Sequence, residues 1–121
     1  MSKSVVILGA SPDATRFANK AFHKLLLFGH KVLLVNPSYP EIEGQKVYAS
    51  LCDIQEPIDT LTLYIAPERS LDLIDDILDL RPQRVIFNPG SESPAVMQAL
   101  AEHRIGYVKA CTLVMLDTGV F

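Results

Sequence analysis

The sequence predicts an α/β fold in which a five-stranded parallel sheet lies between two layers of helices. Three observations carry this reading. Short apolar runs alternate with amphipathic helical segments along most of the chain. The first run, Ser4-Val5-Val6-Ile7-Leu8, is apolar on both faces, as a strand covered by helices on both sides must be. Gly9 then closes that strand, and a helical segment follows it.

The elements are expected as follows. Residues 14–28 form a helix, with Phe17, Ala21, Leu25 and Phe28 at helical spacing and Gly29 as its C-terminal stop. Lys31 to Val35 is a second buried strand, ended by Asn36-Pro37, which completes a right-handed βαβ unit. Residues 38–60 hold Pro40, Gly44 and Pro57 and read as a long connection with one short helical turn near Ser50 to Ile54. A connection of that length either carries function or hides an element, and its first residues are expected to face a ligand. Leu61 to Ala66 is a third strand. The helix after it, Pro67 to Leu80, turns Leu71, Ile74, Ile77 and Leu78 inward and Asp72, Asp75, Asp76 and Asp79 outward. That acidic row has the spacing of a solvated helix face, so no metal site is assigned to it. Arg84 to Asn88 is a fourth strand broken by Pro89-Gly90. Ser93-Pro94 starts a helix to about His103 with a serine cap and proline in its first turn, and Ile105 to Ala110 is the fifth strand. The whole is a Rossmann-type fold with expected strand order 3-2-1-4-5. The apolar tail after Cys111 packs on the body or on a second subunit, which makes a homodimer one expectation.

Composition bounds the function. A chain of 121 residues is expected to be a single domain over 1–121, with 49% hydrophobic and 21% charged residues as in ordinary globular proteins. A net charge of −3 with no basic block argues against nucleic acid and membrane surfaces as partners. Cys52 and Cys111 lie far apart and outside any paired motif, which points away from zinc or a disulfide framework and toward a reducing cytoplasm. The first residues do not read as a signal peptide.

The turn Gly9-Ala10-Ser11-Pro12-Asp13-Ala14 keeps the first and last positions of the dinucleotide fingerprint but has Ser11 in place of the middle glycine. A helix N-terminus after this turn offers free N–H groups and a positive dipole end to phosphate, while close NAD-style docking is disfavoured. Arg16 opposes that dipole unless a phosphate partners it. At the end of the second strand, where NAD proteins place an acid, stands Asn36. A neutral residue there suits a phosphorylated ribose, as in coenzyme A or NADP.

These residues resemble the small stand-alone CoA-binding domain proteins and the CoA-binding domain of the succinyl-CoA synthetase alpha subunit. The resemblance rests on Gly9-Ala10-Ser11-Pro12 with Arg16 and Asn19, on Val35-Asn36-Pro37, and on Gly44-x-x-Val47-Tyr48-x-Ser50-Leu51. It continues through Pro89-Gly90 with Glu92 to Cys111 and so covers nearly the whole chain. It implies a small-molecule nucleotide ligand, CoA or an acyl-CoA. The phosphates and adenosine would lie at Gly9, Ala10, Ser11, Pro12, Arg16, Asn36, Pro37 and Ser38, with Ala66, Pro67, Pro89 and Gly90 beside the pantetheine arm. Many relatives carry a lysine where this chain has Ser38, a basic residue where it has Ala66, and a tryptophan near Phe87. Lys20, Lys46 and Arg69 are the cations available to compensate.

No catalytic residue stands out. His23, His30 and His103 have no evident partners in sequence, no Ser–His–Asp order is visible, and Cys111 fits buried packing better than a reactive thiol. The synthetase keeps its phosphohistidine in a second domain, so ligase chemistry does not follow from the fold. The expected function is non-catalytic binding of CoA or an acyl-CoA. The alternative is an NADP-linked or other nucleotide-dependent enzyme whose catalytic residue is unidentified.

Overall fold

The computed structural model describes residues 2–121. In chain order it contains β1 (Ser4–Leu8), α1 (Phe17–Leu27), β2 (Lys31–Val35), β3 (Glu41–Ile42), β4 (Gln45–Tyr48), a 3-10 turn (Leu51–Asp53) and β5 (Thr60–Leu63). Then follow α2 (Pro67–Leu71), α3 (Ile74–Leu80), β6 (Arg84–Phe87), α4 (Pro94–Glu102), β7 (Gly106–Lys109) and α5 (Thr112–Thr118).

The α/β Rossmann-like class is as expected, but the strand count and order are not. One seven-stranded sheet runs β3-β4-β2-β1-β5-β6-β7, and only the β3–β4 pair is antiparallel. The expected order placed the third strand outside the second. Instead β5 pairs with β1, from Val5↔Thr60 to Leu8↔Leu63. The outer position beside β2 is taken by β4, through Leu34↔Val47 and Val35↔Tyr48.

The residues 38–60 therefore hide a hairpin. Its two-residue turn, Glu43-Gly44, has φ of +51° and +80°, the double positive φ of a type I′ turn. Glutamate is a poor signal for such a turn, and strands of two and four residues are too short to show periodicity. The Glu43 carboxylate holds the hairpin to α1 by accepting from Asn19 Nδ2 at 2.9 Å and pairing with His23 Nε2 at 2.9 Å. Those contacts hold its carboxyl below the usual carboxylate range.

Alternation along the strands divides the core between the two faces of the sheet. Val6, Leu8, Leu33, Val35, Leu61, Leu63, Val85 and Phe87 face the 3-10 turn, α3 and α4. Val5, Ile7, Val32, Leu34 and Val47 face α1 and α5. This two-sided cover is why the strands read as continuous apolar runs. On α1 the buried stripe is Ala18, Ala21, Phe22 and Leu25, whereas Phe17 and Phe28 of the expected stripe are exposed. The helix ends in a Schellman turn, with His30 N–H bonded to Leu25 O and Gly29 N–H to Leu26 O.

The expected single helix 67–80 is two. Asp72 and Leu73 make i→i−3 bonds to Arg69 and Ser70, which close α2, and α3 restarts at Ile74. The break turns Leu71 outward, half exposed, while Ile77 is buried. Ser93 caps α4 by accepting from Val96 N–H at 3.3 Å, as expected. Most of the apolar tail becomes α5, which buries Met115 and Leu116 and leaves Val114 exposed, and Val120 beyond its end is exposed too. Among the described residues no helix is long and apolar enough to cross a membrane.

Candidate functional site

β1 leads through α1 to β2 on one side, and β5 leads through α2 and α3 to β6 on the other. With right-handed crossovers the two sets of helices fall on opposite faces, so the chain diverges between β1 and β5. Ligands of such sheets bind at this switch point, beyond the carboxyl ends of the strands. A cleft of about 510 Å³ lies there, walled by the residues that follow β1, β2, β5 and β6.

Gly9 opens the cleft with φ +96°, and a Cβ there would lie 2.6 Å from the Tyr64 carbonyl oxygen. Only glycine lets the end of β1 pass that close to β5. The Gly9 and Ala10 N–H groups both bond Val35 O, fixing the turn to the end of β2. Ser11 Oγ accepts from Asp13 N–H at 3.1 Å, which leaves the hydroxyl proton free to donate. The Asp13 carboxylate accepts from the N–H and hydroxyl of Thr15, and these bonds with nearby Arg16 hold it low. Asn19 Nδ2 reaches back to Ser11 O at 2.9 Å. The turn is thus held from three directions before any ligand arrives.

Arg16 occupies the N-cap of α1 in an extended conformation without a side-chain cap, and the first turn holds no acid. Arg16, Phe17 and Ala18 line the cleft, so this uncapped end with its free N–H groups borders it.

At the end of β2, Asn36 donates from Nδ2 to Ala10 O at 2.8 Å, and its Oδ1 accepts from Ser38 N–H at 2.8 Å. Its backbone N–H bonds Tyr48 O. Asn36 therefore joins β2, β4 and the first turn, and the bond to Ala10 O is one that an aspartate, with no side-chain donor, could not make.

Of the residues named from sequence, Gly9, Ala10, Ser11, Arg16, Asn36, Ala66, Pro89 and Gly90 come together in the cleft wall. Pro12, Pro37 and Ser38 sit in the same loops, and Pro67 opens α2, but none of them is in that wall. From the connection after β2 it is Tyr39 that reaches the cleft. Sequence reasoning also missed Tyr64, Asn88 and Ser91 on its floor.

Asn88 is buried and bridges three elements. Its Nδ2 donates to Thr62 Oγ1 and Leu63 O, and its Oδ1 accepts from Thr112 N–H at 2.9 Å. The hydroxyls of Thr62 and Thr112 are bonded at 2.8 Å. The buried Tyr64 hydroxyl lies beside this pair without a well-formed bond of its own, and burial pushes its pKa up to about 12. The signal for Asn88 was an amide closing an apolar strand, and that for Thr62 a hydroxyl in the middle of one.

Among the described residues Arg16 and Arg69 are the only charged ones in the wall, and no carboxylate lines it. Neither arginine has an ion-pair partner among the described residues. Lys20 and Lys46 lie outside the wall, with their ammonium groups over the rings of Phe17 and Tyr48 at 5.4 and 4.6 Å. The histidines have partners: His23 has Glu43, His30 Nδ1 accepts from Lys3 N–H, and His103 Nδ1 meets Ala99 O. Cys111 is half-buried at the N-cap of α5. Asp76 of the acidic row accepts from the Cys52 thiol at 3.1 Å. Among the described residues no three His, Cys, Asp or Glu side chains are grouped to hold a metal ion.

The model of a family described as CoA binding domain matches residues 3–117. An acetate--CoA ligase [ADP-forming] of Methanocaldococcus jannaschii is 35% identical over 63 residues, 52% of this chain and 9% of the ligase. A second, from Archaeoglobus fulgidus, is 36% identical over 67 residues, 55% of this chain and 10% of that one. The chain thus matches only about a tenth of the length of these curated relatives. Among solved structures, an uncharacterized protein is 40% identical with a TM-score of 0.94, over 100% of this chain and 99% of that one. The Thermus thermophilus protein cell-free ID.343 is 34% identical with a TM-score of 0.89, over 98% and 90% of the two chains.

Proposed function

The chain belongs to the CoA binding domain family, and from that premise we propose that it binds coenzyme A or an acyl-CoA without performing chemistry on it. One observation carries the reading: among the described residues the switch-point cleft presents two arginines without ion-pair partners and no carboxylate. A polyanion is the ligand that such a wall attracts. The Ser11 hydroxyl and the open end of α1 would receive the diphosphate. Asn36 and Tyr39 would border the adenosine, and Ala66, Pro89 and Gly90 the pantetheine arm. Asn36 also disfavours NAD, because no acid is present to take its ribose hydroxyls.

The non-catalytic part of the reading rests on the side chains. The histidines are engaged away from the cleft, and its wall holds no acid, histidine or cysteine. The ligase activity of the archaeal relatives stays with those much longer proteins.

Calorimetric titration with CoA, acetyl-CoA, NAD and NADP tests the proposal. Binding of CoA or acetyl-CoA with little response to NAD is expected. Arg16→Ala should weaken CoA binding by about 1.5–3 kcal/mol, the scale of a hydrogen bond to a charged group. Tight NADP binding without a CoA response overturns the reading in favour of a nucleotide-dependent enzyme.

A further inference from the structure

We infer that Arg69 and Arg16 clamp one diphosphate from opposite faces of the sheet, and that the ribose phosphate of CoA finds no charged partner here. Charge recognition at the site then falls on the diphosphate alone, and CoA and its 3′-dephospho form bind alike. The inference rests on the CoA reading and narrows it.

Its basis is the placement of charge around the cleft. Arg16 stands before α1, on the face that α1 shares with α5. Arg69 lies in α2, on the connection from β5 to β6, which crosses the other face. The two strands that lead to them, β1 and β5, are neighbours in the sheet. Both residues line the same cleft, together with the first turn and the residues after β5. Each cation lacks an ion-pair partner among the described residues. An anion over the Gly9–Ser11 turn would share this cleft with both arginines, and a diphosphate has oxygens enough for both guanidinium groups.

The adenosine end differs. The wall there is Asn36 and Tyr39, both uncharged, and Ser38 follows Asn36 outside the wall. Lys46 stacks its ammonium on Tyr48 instead of lining the cleft. A phosphate on the ribose would sit near solvent with no cation in the wall, where a charge contributes little.

The test titrates the wild type, Arg69→Ala and Ser38→Lys with CoA and with 3′-dephospho-CoA, after thermal melts have shown that the variants fold. The wild type should bind the two ligands within about threefold of each other. Arg69→Ala should weaken both by a common factor of about ten to a hundred, as loss of a charged hydrogen bond does. Ser38→Lys should create a preference for CoA of about tenfold by giving the ribose phosphate a cation. Three results overturn the inference while leaving CoA binding intact. They are Arg69→Ala without effect, Arg69→Ala weakening CoA alone, and a wild type that already prefers CoA by more than about tenfold. A wild type that binds neither ligand instead overturns the CoA reading itself, and this inference with it.

Discussion

At the scale of single residues, the first turn shows how backbone geometry makes room for a ligand. Gly9 lets the end of β1 pass the Tyr64 carbonyl, and it does so at a φ of +96° that other residues avoid. Gly9→Ala adds both a clash with backbone and strain, so the protein should lose at least about 2 kcal/mol of stability in urea unfolding. A loss below about half that figure means that the turn can shift, and the close approach is then not a constraint. Gly9 was legible because a glycine closing a buried strand has few other uses. Ser11 and Arg16 were legible for a related reason: a donor and a cation beside a helix N-terminus point to an anion. Tyr39 was not, and of the three cations named as available, Lys20, Lys46 and Arg69, only Arg69 lines the cleft, because which residue of a loop or short helix turns toward a cleft depends on tertiary placement. The role of Asn36 was half read. Its neutrality was plain, but its amide contact with Ala10 follows only when β2 is set beside the first turn.

At the scale of elements, the βαβ unit through α1 was read correctly in kind because two unbroken five-residue runs, mostly apolar, flank a helix long enough to show its period. The hairpin of β3 and β4 was not, since its turn places a glutamate at positive φ and its strands are very short. Missing β4 also misplaced β5: the Rossmann-type order 3-2-1-4-5 gives the place beside β2 to the third strand of the sequence reading, and β4 takes that place instead. The polar bridge at Asn88 joins β5, β6 and α5 and supports the cleft floor from behind. Asn88→Ala would leave the Thr112 N–H and the Leu63 carbonyl without their partner in a dry environment. Such losses cost about 1–3 kcal/mol per buried group, so a total of about 2–4 kcal/mol is expected in urea unfolding. Amide exchange in 112–118 should quicken in the same variant, because Thr112 anchors the start of α5. Unchanged exchange would sink the idea that Asn88 holds α5.

At the scale of the whole molecule, the end of the fold opposite the cleft closes around His30 and Phe121. Lys3 Nζ and Arg84 Nη2 both donate to Phe121 O at 2.8 Å, and the rings of His30 and Phe121 lie 5.0 Å apart. His30 Nδ1 accepts from Lys3 N–H, which requires that nitrogen to be unprotonated. Desolvation by burial, then the positive charges of Lys3 and Arg84, lower its pKa from the ordinary 6.5, while Asp59 acts weakly the other way. The sign follows from linkage. The unfolded chain takes up the His30 proton first as pH falls, so the stability that neutral His30 contributes is fully present above 6.5 and is lost as pH falls through the folded value below it. The depressed carboxylates Asp13 and Glu43 act in a lower window, since their contribution is lost only as pH falls through values beneath the ordinary 3.8 and 4.5. Urea unfolding followed from pH 7.5 to about 5 should therefore show stability falling with pH, and His30→Gln should flatten that slope. Comparing the variant with the wild type isolates His30 from the other two histidines. An equal slope in both proteins removes His30 from the account and leaves the Lys3 and Arg84 contacts to Phe121 as a pH-independent clasp.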